Sequence, residues 1–92
     1  MVGVDEELKA AKAAKAAIDA LLTTTRKSEV LATLSKARRA AVLNLSSGGT
    51  LNDARANAGI ALSSVIHSRP TQEKIDKTKA AINEWIRELA AG

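Results

Sequence analysis

The sequence predicts an all-α fold, a compact bundle of about four helices in one small domain spanning residues 1–92. Three observations carry that prediction. Apolar residues recur at three- and four-residue intervals in four stretches, the period of one helix face. Those stretches are separated by a threonine run, a Ser-Ser-Gly-Gly break and the single proline. The third observation is composition: 46% of residues are hydrophobic, much of that share is alanine, and Trp85 is the only aromatic. Alanine favours close helix packing but removes little apolar area from water. A chain of this length has a small core, so stability should be modest and self-association would raise it.

The first helix is expected to be capped by Asp5, with Glu6 and Glu7 as ordinary first-turn acids at its positive end. Leu8, Ala11, Ala14, Ile18, Leu21 and Leu22 form its apolar face, and Lys15 and Asp19 an i,i+4 pair beside it. Thr23, Thr24 and Thr25 end the segment, because β-branched residues support a helix less well. Ser28 is the expected cap of a second helix running to about Leu45, with Val30, Leu31, Leu34, Ala37, Ala41, Val42 and Leu45 as its buried stripe. Ser46, Ser47, Gly48 and Gly49 then break the chain.

The stretch from Thr50 to Pro70 admits two readings. Thr50 and Asp53 resemble a capping box, with Asp in place of the usual Glu. As one helix, the stretch aligns Leu51, Ala54, Ala58, Ala61, Leu62 and Val65 on a face, and Gly59 costs about 1 kcal/mol relative to alanine. As two helices it bends at Ala58-Gly59-Ile60, where glycine tolerates a positive φ. Pro70 sets a boundary near Arg69 in either case. Thr71 opens the last helix, whose apolar row contains Ile75, Ile82, Trp85, Ile86 and Leu89, with Thr78 as a polar interruption. Leu8, Ile18, Leu22, Leu31, Leu34, Ile75, Ile82, Trp85, Ile86 and Leu89 are thus the candidate packing or assembly residues.

Thr50, Asp53, Ala58, Gly59, Ile60, Ser63, Ser64 and Val65, followed by Thr71, Glu73, Ala80, Ala81, Ile82 and Glu84, resemble the helix-turn-helix headpiece of lactose-repressor-type regulators. The resemblance covers residues 50–85 and implies a bend at Gly59, base-edge contacts from Leu62 and Ser63, and phosphate contacts from Thr50 and Ser64, with His67 further along the reading helix. Phosphate contacts would position the protein and base contacts would select sequence. Arg55 departs from the pattern, standing where the family packs an alanine, and a buried unpaired guanidinium there would be costly. The family's hinge helix and sugar-sensing domain have no counterpart in the chain.

The net charge of +4 is concentrated in residues 26–39, where Arg26, Lys27, Lys36, Arg38 and Arg39 face a single acid, Glu29. Such a patch suits DNA phosphates, through salt-sensitive attraction, or an acidic protein surface. Its structural alternative is a solvated basic face, with Arg38 laying its stem over the apolar stripe while Lys36 and Arg39 point outward.

No residue pattern indicates catalysis or a cofactor. Cysteine is absent, and His67, the one histidine, has no second histidine or acid at metal-ligand spacing. Glu84 and Glu88 do not make a catalytic pair, and the Gly48-Gly49 loop lacks the lysine of a phosphate-binding loop. No apolar run is long enough to span a membrane, and the alanine-rich faces of the first two helices drive interfacial insertion weakly. The expectation is a cytoplasmic, non-enzymatic helical module for protein binding or assembly, self-associating as a homo-oligomer, with no small-molecule substrate. Two alternatives remain open: a DNA-binding helix-turn-helix protein using residues 50–69 with the basic patch, and a small adaptor or inhibitor that binds an acidic protein surface.

Overall fold

The computed structural model describes residues 2–92 and contains four α-helices: α1 (Val4–Ile18), α2 (Lys27–Leu43), α3 (Thr50–Ile66) and α4 (Gln72–Ala91). Each packs against its neighbour in the chain, and α4 closes the ring against α1. Three contacts fix the directions. Val2 meets Asn44, Thr50 meets Glu88, and Glu7 meets Trp85, so the start of α1 or α3 lies beside the end of α2 or α4. The result is an up-down-up-down bundle measuring 37 × 22 × 20 Å.

Ala11, Ala14, Ile18 and Leu21 meet Leu34, Ala37 and Ala41 from α2, Ala58, Leu62 and Val65 from α3, and Ile75, Ile82, Trp85 and Leu89 from α4, all buried. Alanines let the helices approach closely, and Trp85 fills the largest share of the interior. Leu8, Leu31 and Ile86 pack against this core while partly exposed.

Several local expectations need correction. Gly3, not Asp5, precedes α1, and no side chain caps it. The helix ends at Ile18, so the helical period stops before Leu22, which is exposed rather than packed. Asp19 pairs across the bundle with Lys79, at 2.8 Å, instead of with Lys15. Arg26, not Ser28, precedes α2, again without a side-chain cap. That helix ends at Leu43, which leaves Leu45 beyond the last turn; Val42 turns to the edge between α2 and α3, and both side chains are about two-fifths exposed at 42%.

Residues Thr50–Ile66 form one uninterrupted helix through Gly59, so the bent alternative is not the one the chain adopts. Gly59 is buried, facing Val42. Thr50 does not close a capping box; its hydroxyl donates to Glu88 Oε1 at 2.6 Å, tying the start of α3 to the end of α4. Direction reverses before α3 at Gly48 and Gly49, whose φ angles of 73° and 96° fall in the left-handed region that disfavours a Cβ. Asn52 Oδ1 accepts from the Ser46 N–H at 2.7 Å and holds that loop against the new helix. Thr71 stands at the start of α4 as its N-cap, its Oγ1 accepting from the Lys74 N–H.

Candidate functional site: a buried polar clamp and an open apolar groove

One end of the bundle holds a polar cluster to which every helix contributes. Glu7 comes from the first turn of α1, Asn44 from the residue that follows α2, Arg55 from α3 and Trp85 from α4. Glu7 is fully buried and accepts four hydrogen bonds. Arg55 Nε and Trp85 Nε1 each donate to Oε2 at 2.7 Å. Arg55 Nη2 donates to Oε1 at 2.8 Å and Asn44 Nδ2 to the same oxygen at 2.7 Å.

Arg55 uses a further N–H on the Asn44 carbonyl, at 3.1 Å. Asn44 is satisfied in turn: its Oδ1 accepts from the Val2 N–H and its Nδ2 also donates to the Val2 carbonyl. The two ends of that amide therefore have different partners, which sets its orientation. Burial pushes the Glu7 carboxyl up. The hydrogen bonds from Arg55, Asn44 and Trp85, together with the guanidinium charge, outweigh that push and hold it below the ordinary glutamate value. Glu7 is thus a buried anion with each oxygen doubly bonded, an arrangement that links diagonal helices α1 and α3 through side chains.

Residue spacing contained a signal for this cluster. Glu7 is in phase with Ala11, Ala14 and Ile18, and Arg55 with Ala58, Leu62 and Val65, all buried. An acid and a base in core-facing rows of different helices can meet inside.

The second feature is an open groove of about 610 Å³ between α2 and α3. Val42, Leu45 and Ile60 line it, and Ile60, at 72% exposure, is the most exposed of the large apolar residues described. Arg38, Ser63, Ser64 and His67 also line it. Ser64 donates to the Ala61 carbonyl, a local bond within α3.

The sequence-predicted binding residues are divided by this geometry. Lys36 and Arg39 are exposed and Arg38 is half-buried, the orientation expected from helical phase. Arg26 and Lys27 are exposed at the start of α2, and Arg26 lies 3.8 Å from Glu29. Leu62 needs correction as a base-contacting residue, because it is fully buried in the core. His67 is exposed immediately after α3. Among the described residues, no three His, Cys, Asp or Glu side chains gather where a metal ion could sit. Among the described residues, no helix is long and apolar enough to cross a membrane.

Fold and clamp together define a small antiparallel four-helix bundle locked at one end by a buried ion pair. No family model, curated protein or solved structure significantly matches the chain.

Proposed function

We propose that the chain is a non-enzymatic helical protein-interaction module that engages its partner through the α2–α3 face. The observation that carries this reading is the exposure of Val42, Leu45 and Ile60 around one open groove, while the larger apolar side chains of the bundle interior are covered. Clustered apolar surface favours association because contact removes it from water. The carboxylate of the clamp is occupied by internal donors on both oxygens, which suits a structural anion rather than a reacting one. DNA binding has less support, since α3 is continuous and Leu62 faces the core.

The test places a photo-crosslinking amino acid at Ile60 and, as a control, at exposed Asn83 on α4, in cells producing the protein. A discrete protein adduct from the first site but not the second, identified by mass spectrometry, is expected. Absent or equal crosslinking at the two sites would overturn the reading. Sedimentation velocity over a wide dilution range separates a second copy of the chain from a different partner.

A further inference from the structure

The α2–α3 groove restricts the shape and the charge of what can fill it. On α3 its lining runs from Ala56 to Ser64, about 12 Å at the rise of an α-helix, and continues onto His67 and Ser68 just beyond the helix. That length matches roughly two turns of a docked helix, and two adjacent helices offer a natural furrow for a third. Gly59 keeps the furrow floor low, because a Cβ there would stand 3.4 Å from Val42 Cγ2.

The groove has no carboxylate in its lining, whereas Arg38 stands at its edge. Arg38 Nε is buried without a hydrogen-bond partner, and its guanidinium makes no ion pair among the described residues. The contrast with Arg55, whose Nε, Nη1 and Nη2 each donate to Glu7 or Asn44, is direct. The Arg38 charge therefore has no partner within the described bundle, and a carboxylate brought by a partner protein would pair with it.

Resting on the interaction-module reading, we infer that this groove receives an acidic amphipathic α-helix from a partner protein. The apolar face of that helix covers Val42, Gly59 and Ile60, and one of its flanking carboxylates accepts from Arg38. A second copy docking symmetrically fits less well, because it brings a basic, acid-free groove edge against its own duplicate.

The experiment selects against the full chain from a displayed library of 16-residue amphipathic helices. Leucines are fixed along one face and the flanking positions vary among Glu, Lys, Gln and Ser. Expected are Glu-enriched binders that shift the amide resonances of Val42, Gly59 and Ile60. Arg38→Met should weaken them by roughly tenfold or more, the equivalent of a lost charge-assisted hydrogen bond. Ile60→Asp should remove binding. Circular dichroism melts check that each variant is folded, with Arg38→Gln replacing Arg38→Met if the latter does not melt cooperatively.

Neutral or basic binders, binders indifferent to both Arg38 variants, or no binders at all would overturn the inference. If no helix is selected but the crosslink at Ile60 joins two copies of the chain, the interaction-module reading stands and the acidic-helix inference falls. If that crosslink is absent as well, both fall.

Discussion

Arg55 grips Glu7 across 48 residues of sequence through two parallel bonds, Nε to Oε2 at 2.7 Å and Nη2 to Oε1 at 2.8 Å. The fork geometry constrains direction as well as distance. Because the residues belong to diagonal helices, the pair favours one rotational setting of α1 relative to α3. Asn44 and Trp85 bring α2 and α4 onto the same carboxylate.

Glu7→Gln retains much of the side-chain shape but removes the charge, leaving the Arg55 guanidinium buried without its anion. A loss of about 3–5 kcal/mol is expected, as for other broken buried pairs. Urea denaturation followed by Trp85 fluorescence measures it. The double variant Glu7→Leu with Arg55→Met is expected to be more stable than Glu7→Gln alone, because no unpaired charge remains. A double variant less stable than the single one would show that the pair supplies more than mutual neutralisation.

Acid should weaken the fold through this same carboxylate. Glu7 has a folded pKa below its ordinary value of 4.5, so between the two values the unfolded chain binds more protons. Its stabilising contribution is therefore fully present above the unfolded value and is lost as pH falls through the folded one. The urea midpoint of the native chain should exceed that of Glu7→Gln near neutrality, with the difference shrinking below about pH 4.5. A constant difference down to pH 2 would contradict the assignment; other carboxylates titrate in both chains, so the comparison isolates Glu7.

Four helices were legible because their apolar periods and the breaks at Ser46–Gly49 and Pro70 agree with the fold. Helix ends were less legible: Leu22, Val42 and Leu45 continue an apolar pattern past or around the point where packing ceases, and a pattern does not reveal that point. The clamp was missed for a different reason. Glu7 also suits a solvated first turn, and only its pairing with a base 48 residues away makes burial tolerable. Helical phase sets Arg38 at the edge of the stripe, where it is half-buried, but its open Nε depends on which side chains surround it in space.

Glycine substitutions should have opposite signs at two sites. Gly59→Ala adds helix propensity worth about 1 kcal/mol, and its new methyl would meet Val42 Cγ2 at 3.4 Å. Val42 is partly exposed and has room to turn, so a net gain of about 0.5–1 kcal/mol is expected. At Gly49 the φ of 96° with ψ of 159° is unfavourable for alanine, and Gly49→Ala should cost about 1–3 kcal/mol. Chemical denaturation of the two variants provides the comparison. Destabilisation by Gly59→Ala would mean that Val42 cannot yield, and stabilisation by Gly49→Ala would exclude the left-handed loop.

Trp85→Phe separates the indole's bulk from its hydrogen bond. Loss of the Nε1 donor leaves Arg55 Nε as the remaining donor described at Glu7 Oε2, and should cost about 1.5–3 kcal/mol before the smaller ring's packing loss is added. Removing Glu7's charge first should reduce that cost, because the indole then faces a neutral amide. Urea unfolding of the native chain, Glu7→Gln, Trp85→Phe and the double variant, followed by circular dichroism, gives the cycle. Coupling of about 1 kcal/mol or more is expected for groups in direct contact within one network. Additive costs would mean that Trp85 stabilises the bundle through its bulk alone, and that Asn44 and Arg55 suffice to hold the buried carboxylate.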